Sequence, residues 1–230
     1  NVAGYDFPKL LTGSMGTLGV ITQLTLKVRP LPEASALVWA RVPDPHQVEA
    51  LLADLETSSA RPVAIELLNP AASWIMNGAK GDAAGSWILA VGLEGADDSI
   101  AWQVDQLGRE LGSLDFEVNR DAESEPLWST LIEFQAGLPA PLACVANLRP
   151  SRVASFVRSL DPERWAVQAH AGSGVVRMRG LGDWTEERAA AAIDAHRTTA
   201  VRDGGNLIVA RCPTAWKDRL RVWGEPRADW

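Results

Sequence analysis

Three glycines, Gly13, Gly16 and Gly19, stand three residues apart in the run Leu11-Thr12-Gly13-Ser14-Met15-Gly16-Thr17-Leu18-Gly19-Val20-Ile21. Glycine reaches backbone angles closed to other residues and lets a ligand approach the main chain. Successive N–H groups of such a loop form a concave nest for phosphate or ribose oxygens, and the Ser14 and Thr17 hydroxyls add donors. The G-x-x-G-x-x-G spacing is not the G-x-G-x-x-G of a dinucleotide fold, and no βαβ unit surrounds it. From spacing alone, a Gly-rich hairpin that closes a sheet is equally open. The second group is His170-Ala-Gly-Ser-Gly-Val-Val-Arg177. His170 has the chemistry of a general base, and the two-pronged guanidinium of Arg177 suits a carboxylate. The alternative is a packed or solvated structural histidine at a strand end.

Little else has the spacing that chemistry needs. Cys144 and Cys212 lie far apart without a C-x-x-C, so neither a zinc ribbon nor an iron–sulfur ligand set is expected, and both read as small buried hydrophobes. One histidine facing an arginine is a poor start for a cation site, and no metal is expected. His46 and His196 fall on predicted helices without partners at ligand spacing. No acidic pair stands out from a solvated surface, and Ser14 and Ser173 lack a local base.

The elements that must position these residues follow from periodicity. A β-rich stretch follows the glycines. Ala36 to Val42 reads as a strand, after which Asp44 as N-cap, Pro45 at the first position and Gln47 predict a helix striped by Val48, Leu51, Leu52 and Leu55. A strand over Val63 to Leu68, a loop from Asn69 to Gly85 and a strand over Trp87 to Leu93 come next. Asp97 and Asp98 open a helix carrying Ile100, Val104, Leu107 and Leu111, and a strand around Leu114 to Val118 closes a β-α-β-β-α-β unit. A bridge from Asp121 to Pro141, helical around Leu127 to Phe134, leads to a second such unit. There Leu142 to Leu148 is a strand, Val153, Phe156, Val157 and Leu160 stripe a helix, and Trp165 to Ala169 and Val175 to Met178 are strands. Thr185 caps a long helix ended by Gly204 and Gly205, and Leu207 to Ala210 is the last strand. Two ferredoxin-like units predict an α+β fold, one antiparallel sheet with helices on one face.

The segment N-V-A-G-Y-D-x-x-K-L-x-x-G-S-x-G-T-L-G-V-I-T-x-L-T-L-K-V-x-P-x-P resembles the second FAD-binding subdomain of FAD-linked oxidases of the vanillyl-alcohol oxidase and p-cresol methylhydroxylase (PCMH) type. Within them it is most similar to the glycolate oxidase FAD-binding subunits. The resemblance is dense over residues 1–32 and looser beyond. It implies a partial PCMH-type FAD-binding domain over residues 1–34 and a ferredoxin-like cap, or substrate, domain over 35–230. It implies FAD as cofactor, lying along Gly13, Ser14, Gly16, Thr17, Gly19, Val20 and Ile21, with Gly4, Tyr5 and Asp6 extending the set. The run from His170 to Arg177 resembles the H-x-G-[DN]-G-x-x-H turn of related 2-hydroxy-acid oxidoreductases, with Arg177 in place of the second histidine and Ser173 in place of the acidic or amide residue. The implied activity is oxidation of a small 2-hydroxy acid such as glycolate, with His170 and Arg177 as the catalytic candidates. The implied partners are a second flavin subunit and an iron–sulfur subunit. The upstream FAD subdomain and the family's continuation beyond Trp230 are missing, so the chain resembles an excised piece. The alternative is a duplicated ferredoxin-like module that binds a small molecule or a partner subunit without catalysis.

Composition sets outer bounds. The 230 residues are 47% hydrophobic and 22% charged, with a formal net charge of -7. That is enough apolar material for one large core or two small ones. The basic residues are scattered, which argues against nucleic acid as a partner. No apolar run reaches the roughly 18–20 residues of a membrane helix, and a cytoplasmic location, peripheral to the inner face of the cell membrane only through partner subunits, is expected. Ten tryptophans stand beside one tyrosine and four phenylalanines. Trp39, Trp87 and Trp165, inside β-like runs, are expected in the core.

Overall fold

A computed structural model of the chain describes residues 6–14, 16–77, 86–134 and 140–224. Two compact units comprise residues 1–31 and 32–230.

In the first unit, α1 (Phe7–Leu11) is opened by Asp6, whose Oδ1 accepts from the Lys9 N–H at 3.1 Å. The expected β-rich stretch, and the hairpin alternative with it, do not form: residues 18–31 carry no strand. Their apolar side chains alternate, but a strand also needs a neighbour to complete its ladder, and no described residue supplies one. Val20, Leu24, Leu26, Val28 and Leu31 are consequently exposed.

The second unit is one eight-stranded antiparallel sheet in the order β4-β1-β3-β2-β6-β7-β5-β8. Its first half is β1 (Ala34–Val42), α2 (Val48–Glu56), β2 (Ala64–Leu68), α3 (Pro70–Asn77), β3 (Trp87–Gly95), α4 (Asp97–Leu111) and β4 (Asp115–Arg120). After α5 (Glu125–Glu133) come β5 (Ala143–Asn147), α6 (Val153–Arg158), β6 (Trp165–His170), β7 (Val175–Gly180), α7 (Glu186–Arg202), β8 (Asn206–Arg211) and the short α8 (Lys217–Leu220). Read inward from each edge, both halves have the order fourth, first, third, second, so the ferredoxin-like pattern occurs twice and the second strand of each half meets the other. At that seam Glu66 lies opposite His170, Leu67 opposite Ala169 and Leu68 opposite Gln168.

The major core lies between the sheet and α2, α4, α6 and α7. Val48, Leu52, Leu55, Ile100, Leu107, Val153, Phe156 and Val157 are buried there, as the stripes predict, and Ile193 of α7 joins them. Burial pushes the Cys144 thiol up to about 12, the behaviour of an inert core side chain. Trp39, Trp87 and Trp165 are buried as expected.

Three expectations need correction. Asp44 does not cap α2: its Oδ1 accepts from the His46 N–H at 2.9 Å and its carbonyl from the Gln47 N–H at 3.0 Å. A separate turn closes there, the helix starts at Val48, and His46 lies outside it. The predicted loop from Asn69 contains α3, and the helices do not keep to one face. Ala72 of α3, with Leu131 of α5 and Phe134 just after it, covers Leu37, Trp39, Leu68, Ile88 and Ala90 on the opposite face. Strands β1 and β3 are apolar on both faces, so each face needs a cover.

Asn69 ties this second layer to the seam. Its Oδ1 accepts from the Ala72 N–H at 3.0 Å and the Val167 N–H at 2.9 Å, and its Nδ2 donates to the Trp165 carbonyl at 2.7 Å. Asn69→Ala therefore removes a helix cap and strands two buried backbone groups of β6. Urea unfolding is expected to show a loss of about 2–3 kcal/mol.

His196 of α7 packs edge-on against Trp165 and Phe156, with ring centroids 5.8 and 6.4 Å apart, and burial lowers its pKa from the usual 6.5. Above pH 6.5 this residue is neutral folded or unfolded; below it the unfolded chain takes up the proton more readily, so stability falls with pH. The urea midpoint is expected to drop as the pH is lowered through that value, and His196→Leu is expected to flatten that part of the profile.

Candidate functional site

The glycine loop follows directly on α1. Ser14 N–H donates to Leu11 O at 3.1 Å, Thr17 N–H to Ser14 O at 3.0 Å and Thr17 Oγ1 to Ser14 O at 2.7 Å. Gly13 and Gly16 have φ of +83° and +78°, angles that favour glycine. Gly19 differs: its φ is ordinary, and an added Cβ would meet no atom within 4 Å. Nothing in the packing of the described residues calls for a glycine there. No hydrogen bond among the described residues takes up the N–H groups of residues 18–28. The loop thus offers exposed donors and a bare backbone at Gly19, which fits a flat or anionic ligand laid along it. Asp6 is already engaged as the cap of α1. Gly4 and Tyr5 lie outside the described residues.

His170 ends β6 on the sheet face turned away from α2, α4, α6 and α7. The turn after it is closed by the Gly174 N–H donating to His170 O at 3.0 Å. Gly174 has φ +76°, and a Cβ would lie 1.9 Å from the Leu148 carbonyl oxygen, so no other residue fits this turn. Ser173 Oγ donates to the His170 carbonyl at 3.3 Å.

Across the seam the His170 Nδ1 contacts Glu66 Oε1. Glu66 is buried, and its other oxygen accepts from Gln168 Nε2 at 3.0 Å. A carboxylate only accepts, so Nδ1 carries a proton; in the neutral ring Nε2 then keeps a lone pair. Two polar atoms of this group are closed off without a partner among the described residues, His170 Nε2 and Gln168 Oε1. Arg177 lies opposite Gln168 in the β6·β7 register and hence on the same face, diagonal to His170. No ion pair or hydrogen bond with the described residues engages its guanidinium.

Glu66 and His170 line an open cleft of about 410 Å³ with Pro62, Ile65, Gly172 and Ser173. Arg177 is not among its lining residues, so the structure sets the two candidates on one face without bringing both to one cleft. A second cleft, between α2 and α6, is lined mainly by Leu52, Ala53, Pro150 and Ala154. Its Glu49 is paired to Arg158 at 2.9 Å, which leaves it little free chemistry. Among the described residues no three His, Cys, Asp or Glu side chains converge as a cation site requires. None of the described helices is long and apolar enough to cross a membrane.

Glu66 and Gln168 escape the sequence reading because they sit in separate strands 102 residues apart. The available signal is polarity at strand positions that periodicity assigns to a covered face, Ala64-Ile-Glu-Leu-Leu68 and Trp165-Ala-Val-Gln-Ala-His170.

No family model matches the chain. Over 35 residues, 15% of this chain and 10% of the relative, it is 57% identical to glycolate oxidase subunit GlcE of Escherichia coli (strain K12). Over 43 residues, 19% of this chain and 8% of the relative, it is 44% identical to the mitochondrial D-lactate dehydrogenase [cytochrome] of Arabidopsis thaliana. Over 69 residues, 30% of this chain and 15% of the relative, it is 32% identical to glycolate oxidase subunit GlcD of Bacillus subtilis (strain 168). The fold is similar to that of alkyldihydroxyacetonephosphate synthase, with a TM-score of 0.56 and 14% identity over 96% of this chain and 48% of that one. It is also similar to that of p-cresol methylhydroxylase, with a TM-score of 0.53 and 13% identity over 85% of this chain and 48% of that one. These likenesses join short stretches similar to glycolate oxidase subunits and a D-lactate dehydrogenase with a fold similar to that of alkyldihydroxyacetonephosphate synthase and p-cresol methylhydroxylase. It spans about half the length of the solved structures that it matches.

Proposed function

We propose that the chain belongs to an FAD-dependent oxidoreductase that oxidises the CH–OH group of a small 2-hydroxy acid, of the glycolate oxidase kind. The observation that carries this reading is the 57% identity over 35 residues to a glycolate oxidase subunit. Residues 1–34 then contribute to the flavin domain and residues 35–230 form the cap over the substrate. FAD lies along Gly13, Ser14, Gly16, Thr17, Gly19, Val20 and Ile21, where free N–H groups and the uncrowded Gly19 support close approach. When bound, the flavin supplies the acceptor for the hydride equivalent that leaves the α-carbon. Arg177 holds the substrate carboxylate through its two-pronged guanidinium. The His170 Nε2 lone pair receives the hydroxyl proton, which leaves an imidazolium beside the Glu66 carboxylate. Electrons pass to a second flavin subunit and an iron–sulfur subunit, in a complex that is cytoplasmic or peripheral to the inner face of the cell membrane.

A second reading, a duplicated ferredoxin-like module that binds a ligand or subunit without catalysis, is favoured by two observations: His170 Nε2 is closed to solvent, and Arg177 stands outside the His170 cleft.

Purification of the full-length protein with FAD, and assay with glycolate and with D-lactate and an artificial electron acceptor, separates the two. Bound flavin and turnover are expected, and no flavin under any condition leaves the binding module. Gly19→Ala is expected to weaken FAD binding at least about tenfold with thermal stability unchanged, since only a ligand would meet the new methyl. His170→Gln is expected to lower kcat by about 10²–10³-fold. Arg177→Met is expected to raise KM for the acid by about 10–100-fold with a smaller change in kcat.

A further inference from the structure

The apparatus behind His170 is more built than a surface histidine needs. Glu66 is 5% exposed and Gln168 is fully buried, and both stand on strand positions facing the sheet's second layer. A buried carboxylate is costly unless hydrogen bonds hold it, and this one uses one oxygen for the His170 Nδ1 and the other for the Gln168 Nε2. The Gln168 amide is thereby oriented: its nitrogen must face the carboxylate, so Oε1 is turned elsewhere and finds no partner among the described residues. The His170 Nε2 is likewise left without one. An unmet buried polar atom is costly, and two of them in one hydrogen-bonded group mark a place where packing alone has not decided the residues.

We infer that Glu66 and Gln168 are positioning residues that hold His170 as the Nδ1–H tautomer, with Nε2 as the acceptor atom of the ring. The inference rests on the proposed role of His170 for its purpose but not for its geometry. Glu66 acts through one oxygen on the ring, and Gln168 holds Glu66 in place by the other. The contact also crosses the seam, so the ring orientation depends on β2 and β6 being in register. A free imidazole prefers the proton on Nε2. The Glu66 contact reverses that preference, much as the orienting carboxylate does in a Ser-His-Asp arrangement.

The chain has three histidines, so ¹⁵N-histidine labelling gives a spectrum in which each ring resolves. Long-range ¹H–¹⁵N correlation of the full chain at pH 8 is expected to show His170 with Nδ1 protonated. Glu66→Leu, which removes the acceptor, is expected to move His170 to the Nε2–H form while His196, packed in the other core, keeps its signals and reports an intact fold. Glu66→Gln retains an acceptor oxygen and is expected to restore part of the Nδ1–H population. Gln168→Leu frees the carboxylate's second oxygen and is expected to give a mixture of tautomers. An Nε2–H tautomer in the unaltered chain, or an Nδ1–H tautomer that survives both Glu66 variants, overturns the inference. In the FAD-loaded protein the Glu66 variants are expected to lower kcat at least about tenfold and change its pH profile while KM shifts little. If the tautomer behaves as stated but kcat and its pH profile do not move, the positioning stands and the role proposed for His170 as base is what fails.

Discussion

The pairing of β2 with β6 is the constraint on which the second unit depends. Each ferredoxin-like half ends in an unfinished strand edge, and an exposed edge is a row of unmet N–H and C=O groups. Joining the two second strands removes both edges at once and makes a single eight-stranded sheet. The ladder itself spans few residues, Glu66 to Leu68 against Gln168 to His170. Side chains extend it: Asn69 bonds the backbone of Trp165 and Val167, and Glu66 reaches both Gln168 and His170. Polar groups therefore fasten the seam on the face where the candidate chemistry lies, and the shared apolar core fastens it on the other.

The two halves share a topology and differ in what covers them. Between β2 and β3 the chain inserts α3, whereas the equivalent link between β6 and β7 is the tight turn from Ala171 to Gly174. With α5 added, the first half is sandwiched between helices, and the end of the second half that bears His170 and Arg177 has no helix of its own. His170 and Ser173 there line an open cleft instead of a packed layer. Arg179, two residues along the same strand, shows the contrast: it is buried and donates to the Phe134 carbonyl beside α5.

The glycine loop belongs to a different physical regime. Its shape is local, set by Asp6 capping α1, by the Ser14 and Thr17 hydrogen bonds and by two positive φ angles. The alternating apolar residues after it find no ladder among the described residues. Val28 and Leu31, for example, are 81% and 92% exposed. Such a segment carries its pattern without the partner that would turn it into a strand.

Much of the fold was legible in the chain. The stripes on α4 and α6 turn the residues they name to the core, with Val104 only partly buried, and Thr185 caps α7 with its side chain accepting from the Arg188 N–H. Periodicity works there because one face of a helix meets one sheet. Where two layers compete it fails: Asn69-Pro70 has the cap and first-position signature of a helix, yet its apolar run reads as loop until a second face needs covering. Of the candidate site, sequence alone determined the glycine spacing and the placing of His170 at a strand end before a glycine turn. Glu66, Gln168 and the tautomer that they impose came only from tertiary structure. Strand pairing brings together residues about a hundred positions apart, and no local pattern encodes which edge will meet which.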